Sequence, residues 1–101
     1  MGMPSRRISK WHYVYVLLSS KDDNFYIGYT KDLRQRLKEH NAKKNFSTKG
    51  RLPLSLVYIE ACLNKEDSIR RENYLKTSQG RRFLKLRLRK LLKNRELKNS
   101  F

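Results

Sequence analysis

FYIGYT at Phe25–Thr30 runs directly into KDLRQRLKEHN at Lys31–Asn41, and this junction decides the fold. The first stretch is aromatic or β-branched around a single glycine, which favours a pleated, half-buried strand. Asp32 and Gln35, three positions apart, form a helix start of the capping-box type. The chain is therefore predicted to pass from a strand straight into a helix.

The predicted helix carries two polar side chains close to its buried stripe. Leu33 and Leu37 lie four residues apart and mark that stripe. Arg36 and His40, also four apart, fall within about 60° of it, whereas the other charged residues lie on the far side. We therefore expect Arg36 and His40 to point partly inward, where they are candidates for function.

The preceding stretch, Trp11–Leu18, is apolar on both alternating faces, which is typical of a central strand covered on two sides. The polar loop Ser19–Asn24 then predicts a β-hairpin in which Tyr15 lies opposite Gly28. This register puts Tyr15, Tyr26, Gly28 and Thr30 on one sheet face. A glycine at such a place leaves room for close approach by a ligand or another chain.

The rest of the chain predicts a basic loop, a third strand at Leu54–Ala61, a helix capped by Asn64 and a last helix from about Gln79. Alternation in the last segment also leaves a strand open there. Glu72 lies on the inward ridge of the Asn64-capped helix, where a carboxylate needs a partner or a metal. Its simplest partners are Lys76, at i,i+4, or Arg36.

The expected fold class is α/β (α+β), with a small three-stranded, mainly antiparallel sheet flanked by helices in the order β-β-α-β-α-α. One domain at 11–92 is predicted, preceded by a basic N-terminal segment at 1–10 and followed by a basic tail at 93–101.

The whole chain has 25 lysines and arginines against 9 acidic residues. The resulting net charge of +16 points to nucleic acid as the partner. No membrane partner is expected, because no basic amphipathic segment carries an aromatic apolar face. A single cysteine, Cys62, and no leader-like segment indicate a cytoplasmic protein.

These motifs together resemble the GIY-YIG nuclease family, in its small single-domain bacterial form. Tyr13-Val14-Tyr15 stands where the family has Gly-Ile-Tyr, and Tyr26-Ile27-Gly28 is the second motif as written. Arg36, His40 and Glu72 match the family's helical arginine, the histidine or tyrosine that follows it and the acidic metal ligand. The first motif departs from the family in having Tyr13 in place of glycine.

The resemblance implies a metal-dependent endonuclease that hydrolyses phosphodiester bonds in DNA and is structure-selective or weakly sequence-specific. It also implies DNA repair or recombination as the process, and a possible protein partner for targeting.

The cofactor that the resemblance implies is one Mg²⁺ or Mn²⁺ ion on Glu72. Arg36 is expected to grip the scissile phosphate. The resemblance points mainly to Tyr15 as the base, with Tyr26 positioning water or phosphate, and His40 is the alternative base because its usual pKa of about 6.5 suits neutral pH. The alternative is a basic module that binds nucleic acid in the same phosphate pocket without cleaving it. The expected catalytic residues are Tyr15, Tyr26, Arg36, His40 and Glu72, and the expected nucleic-acid contacts are Thr30, Lys31, Lys43, Lys44 and Lys76.

Overall fold

A computed structural model describes residues 10–41 and 54–99. Within these ranges it contains a three-stranded antiparallel sheet of order β2-β1-β3, which confirms the predicted α+β class. The strands are β1 (His12–Ser19), β2 (Phe25–Thr30) and β3 (Leu54–Cys62). The helices are α1 (Leu33–Asn41), α2 (Lys65–Leu75), α3 (Ser78–Arg87) and α4 (Arg89–Asn99). Lys43 and Lys44 lie outside the described residues, and no helix inside them is long and apolar enough to cross a membrane.

Strand β1 is the centre of the molecule, as its two apolar faces predict. Every residue from Val14 to Ser19 is buried. Val14, Val16 and Leu18 form the hydrophobic core with Leu75 of α2 and Leu84 of α3. Alternation along the strand turns Tyr15 and Leu17 to the other face of the sheet.

The hairpin register is also confirmed, since Leu18 pairs with Phe25 and Tyr15 with Gly28. Asp23 adopts the left-handed backbone conformation in the connecting loop, with φ of 59°. The side-chain hydroxyl of Ser19 accepts hydrogen bonds from the backbone N–H groups of Lys21 and Asp22. The loop is therefore held by its own side chains, and it fixes the register on which the site depends.

Both predicted helix starts are capped by the expected side chains. The Asp32 carboxylate accepts a hydrogen bond of 3.0 Å from the backbone N–H of Gln35. The Asn64 amide oxygen accepts one of 2.9 Å from the N–H of Asp67. Each cap satisfies a backbone donor that the first helical turn leaves unpaired, so local sequence fixes where α1 and α2 begin.

The C-terminal segment forms two helices where the sequence predicted one helix, with a strand as the alternative. Leu88 separates α3 from α4, because its ψ of 21° is far from the helical value. Its side chain packs on the core together with Leu91 and Leu92, so apolar spacing continues across the break and hides it from the sequence pattern. α4 then continues to Asn99, past the start of the predicted tail at residue 93.

Candidate active site

The Tyr15 ring lies across Gly28 of the neighbouring strand. A Cβ atom built on Gly28 would collide with the hydroxyl oxygen and Cζ of Tyr15 and lie 2.9 Å from its Cε1. Tyr15 is itself only 3% exposed. The space that the sequence assigned to a ligand or another chain is therefore filled by this ring, and the glycine is required for its placement.

Tyr15 meets His40 from helix α1. The Tyr15 hydroxyl lies 3.0 Å from His40 Nε2, and the two rings pack edge to face with centroids 5.8 Å apart. His40 is buried, as its place next to the apolar stripe predicted. The capping of α1 and the register of the hairpin together bring these two side chains into hydrogen-bonding contact.

Burial shifts the pKa values of both groups toward their neutral forms. It raises the pKa of the Tyr15 hydroxyl, with the Glu72 and Glu39 carboxylates adding to the rise and Arg36 opposing it. Burial also lowers the pKa of His40, and the positive charge of Arg36 lowers it further while Glu39 opposes. At neutral pH the pair is therefore a phenol beside an uncharged imidazole, because desolvation disfavours the charged form of each.

Arg36 is half-buried and fixed by two oxygen atoms. Its Nη1 donates a hydrogen bond of 3.4 Å to the carbonyl oxygen of Tyr29 in β2. Its Nε lies 3.2 Å from the Glu39 carboxylate, one helical turn later. This anchoring keeps the guanidinium near the Tyr15 hydroxyl, whose pKa it lowers against the larger effect of burial.

Glu72 approaches the same place from α2. Its side chain is 16% exposed, and its carboxylate lies 3.0 Å from Lys76 Nζ. The i,i+4 pair with Lys76, which the sequence offered as the simplest partner, is thus present. The carboxylate also raises the pKa of Tyr15 by its negative charge, so it lies within electrostatic range of the hydroxyl.

Two other candidates have local partners in the structure. Tyr26 lies on the Tyr15 face, and its hydroxyl donates a hydrogen bond of 2.8 Å to Asp22 of the hairpin loop. The Thr30 hydroxyl donates to the backbone oxygen of Asp32 and accepts from the N–H of the same residue, so it holds the turn into α1. Lys31 is exposed beside that turn.

Residues 11–87 match the family model described as the GIY-YIG catalytic domain. The chain belongs to the GIY-YIG family. This match confirms the resemblance drawn from the motifs, and it spans most of the chain. The matched region contains the cluster of Tyr15, Arg36, His40 and Glu72, so these residues belong to a domain of a nuclease family.

Relatives of this GIY-YIG protein occur in bacteria and archaea. A UPF0213 protein of Staphylococcus haemolyticus is 41% identical over 76 residues, covering 74% of this chain and 92% of its own length. A UPF0213 protein of Haloquadratum walsbyi is 37% identical over 71 residues, covering 69% and 79%. The solution structure of a UPF0213 protein of Bacillus halodurans is 36% identical and covers 73% of this chain and 81% of its own, with a TM-score of 0.48.

GIY-YIG nucleases are in general dependent on a divalent metal, and the donor set of this domain fits a lightly held hard cation. The described residues contain no cluster of three or more histidine, cysteine or carboxylate side chains that could enclose an ion. Two carboxylates raise the pKa of the Tyr15 hydroxyl by their charge, and Glu72 has a larger effect than Glu39. Glu72 is therefore the residue that could hold a divalent ion, with the ion's other positions left to water or substrate.

Two features of this GIY-YIG domain were not predicted from the sequence. His12 Nδ1 lies 2.6 Å from the Tyr29 hydroxyl, and the two rings stack. Glu60 of β3 receives two parallel hydrogen bonds of 2.9 Å from Arg71, the neighbour of Glu72. A signal for the first pair was present, because the predicted register makes His12 and Tyr29 diagonal neighbours across β1 and β2.

Proposed function

We propose that this protein is a metal-dependent endonuclease that hydrolyses phosphodiester bonds in DNA, selecting its substrate by structure or by a weak sequence preference. One observation carries the proposal: Tyr15 and His40 are hydrogen bonded beside Arg36, and Glu72 acts on the same hydroxyl from another helix. A proton acceptor, a phosphate-binding cation and an oxygen ligand for a metal would therefore serve one reaction centre in a domain of a nuclease family.

His40 is the proposed proton acceptor, with Tyr15 between it and the attacking water. The lowered pKa of His40 keeps the imidazole neutral near pH 7, as a base must be, whereas burial keeps Tyr15 protonated. Tyr15 would give its proton to Nε2 of His40 as it takes one from water. This role requires the His40 tautomer that carries its proton on Nδ1.

Arg36 is proposed to bind the scissile phosphate. Its planar guanidinium matches two phosphate oxygens, and its charge offsets the negative charge that develops as water attacks. The contacts with Tyr29 and Glu39 fix the side chain before substrate arrives, which lowers the cost of orienting it.

Glu72 is proposed to hold one Mg²⁺ or Mn²⁺ ion. Such an ion, when bound, polarises the phosphate and stabilises the departing oxygen. Tyr26 is proposed to position water or phosphate from its place beside Asp22. Thr30, Lys31 and Lys76 stay predicted contacts to nucleic acid, as do Lys43 and Lys44 outside the described residues.

The wider setting follows the resemblance and is part of the proposal. DNA is the proposed nucleic acid, and DNA repair or recombination is the proposed process. We further propose a cytoplasmic location and a protein partner that directs cleavage, because nucleases with small domains commonly obtain their targeting from a partner.

The test is cleavage of supercoiled plasmid and branched duplex DNA by the purified protein, with Mg²⁺ or Mn²⁺ compared against EDTA. Glu72→Gln should lower the rate by about 10²-fold or more, the order expected when a group stabilising developing charge is lost. It should leave DNA binding equal or tighter, since one negative charge is removed. Glu66→Gln is the matched control, because Glu66 is an exposed carboxylate in the first turn of the same helix.

The alternative function, a module that binds without cleavage, is favoured by one contact. Lys76 lies 3.0 Å from Glu72 and can offset its charge in a phosphate pocket without a metal. Tight, salt-sensitive binding with no turnover on either substrate would select this alternative. Cleavage that persists in Glu72→Gln at the rate of Glu66→Gln would remove Glu72 from the proposed site.

A further inference from the structure

The end of the chain carries a strong concentration of positive charge outside the candidate active site. From Arg81 to Arg95 there are eight basic residues and no acidic one. This segment spans most of α3 and the first part of α4. None of its members was among the expected site residues, so the proposed reaction leaves this charge without a role.

Part of this charge lines a groove between α3, α4 and the β1–β2 hairpin. We call it the hairpin groove; its cavity volume is about 490 Å³. Its lining contains both apolar and charged side chains. The residues that define it are Asp23, Phe25, Arg81, Lys85, Leu92 and Arg95.

The hairpin groove keeps a positive balance after its internal contacts are considered. Arg95 pairs with Asp23 at 3.0 Å, and that carboxylate is 74% exposed, so the pair is easily exchanged for another anion. Arg81 donates to the backbone oxygen of Phe25 at 3.5 Å, which consumes no negative charge. Lys85 is exposed on the same wall, one helical turn after Arg81 and about 6 Å further along the axis. Among the groove residues that the structure describes, three cations therefore face one carboxylate.

We propose that the hairpin groove is a second phosphate-binding site, which holds the backbone of a nucleic acid away from the position of cleavage. The inference deepens the proposed function and rests on it for the identity of the ligand. Nucleic acid is favoured over an acidic peptide because the proposed reaction already requires a phosphodiester backbone on this domain, and that backbone carries a negative charge at every phosphate.

The hairpin groove is distinct from the Tyr15 cluster. Phe25 belongs to the core face of the sheet, whereas Gly28 supports Tyr15 on the other face. Three residues separate them along β2, about 10 Å at the rise of an extended strand. Because the two positions lie on opposite faces of the sheet, a nucleic acid that engages both has to pass around the edge strand β2.

A single phosphate contact has a measurable size. Releasing one condensed counterion contributes about 0.9 to the slope of log affinity against log salt concentration. One such contact therefore raises the affinity about fivefold at ~0.15 M salt. Loss of Lys85 should therefore weaken duplex binding about fivefold and reduce the slope by about one, with the same effect on unrelated sequences.

The test compares Lys85→Gln with Lys90→Gln, both in a Glu72→Gln background that prevents turnover. Lys90 is the matched control, because it is an exposed lysine of α4 that lies outside the hairpin groove. The probe is a labelled 20-base-pair duplex, followed by fluorescence anisotropy at several salt concentrations. Arg81→Gln is a second groove variant, and its fold is checked by circular dichroism.

We expect both groove variants to lose affinity and salt slope while Lys90→Gln changes little. Equal losses in Lys85→Gln and Lys90→Gln would overturn the proposal, since the effect would then be general charge. Weakened binding of poly-glutamate with unchanged duplex binding would overturn it in favour of an acidic protein partner. Absence of cleavage in the parent protein would refute the proposed nuclease, but a groove-specific loss of duplex binding would still establish the phosphate site.

Discussion

Gly28→Ala tests whether the Tyr15 ring, and not an external ligand, requires the glycine. A methyl group at this position would overlap the hydroxyl and Cζ of Tyr15. The ring has little freedom to withdraw, because Tyr15 is 3% exposed and its hydroxyl is bonded to His40. The substitution therefore has to displace the ring or the strand.

The size of the effect follows from two opposing contributions. Overpacking a buried site costs about 1–3 kcal/mol. Replacing a strand glycine with alanine returns about 0.5–1 kcal/mol, because the unfolded chain loses conformational freedom. The net change for Gly28→Ala should lie between about zero and a loss of about 2.5 kcal/mol, and each kcal/mol lost lowers the melting temperature by about 4–8 °C in a domain of this size.

A double-mutant cycle isolates the contact. In a Tyr15→Val background the ring is gone, so Gly28→Ala should become neutral or stabilise by about 0.5–1 kcal/mol. Urea unfolding of the four proteins, followed by far-ultraviolet circular dichroism, gives the coupling free energy. Equal free-energy changes for Gly28→Ala in both backgrounds, and so a coupling free energy near zero, would refute the assignment of the Gly28 space to Tyr15.

Two further predictions concern His40 and Arg71. Because the pKa of folded His40 is lowered, the unfolded chain binds more protons near and below pH 6.5, so stability should fall as pH decreases from 7 toward 5. His40→Gln should flatten this dependence. Unfolding at pH 7.5 and 5.5 measures it, and parallel curves for the parent and His40→Gln would contradict it. Arg71→Lys should cost up to about 1 kcal/mol in urea unfolding, because lysine cannot make the two-pronged contact with Glu60. The exposed Arg70→Lys should change little, and equal losses in the two variants would contradict this reasoning.

Short-range rules predicted the positions of most elements. The hairpin register followed from loop length and alternation, and the side-chain caps at Asp32 and Asn64 located two helix starts. These features depend on residues within a few positions of one another, which a pattern can show. The break at Leu88 escaped because the apolar spacing runs through it, so only the backbone conformation distinguishes two helices from one.

In the candidate site, too, the sequence pattern predicted the positions of residues but not the properties that depend on packing. The inward positions of His40 and Glu72 followed from helical spacing, and the pairing of Tyr15 with Gly28 followed from register. The pKa directions did not follow from the sequence. Arg36 lowers the pKa of Tyr15, but burial raises it by more, and burial is a property of the packed molecule.

The placement of Glu72 depends on contacts made by its neighbours along α2. Ser68, one turn earlier, is buried and donates a hydrogen bond of 3.3 Å to the His12 carbonyl of β1. Leu75, almost one turn later, is completely buried in the core. Arg71 attaches the same helix to Glu60 of β3 through two hydrogen bonds. Because these contacts fix α2 to β1, to β3 and to the core, the backbone that carries Glu72 is held in place relative to the sheet.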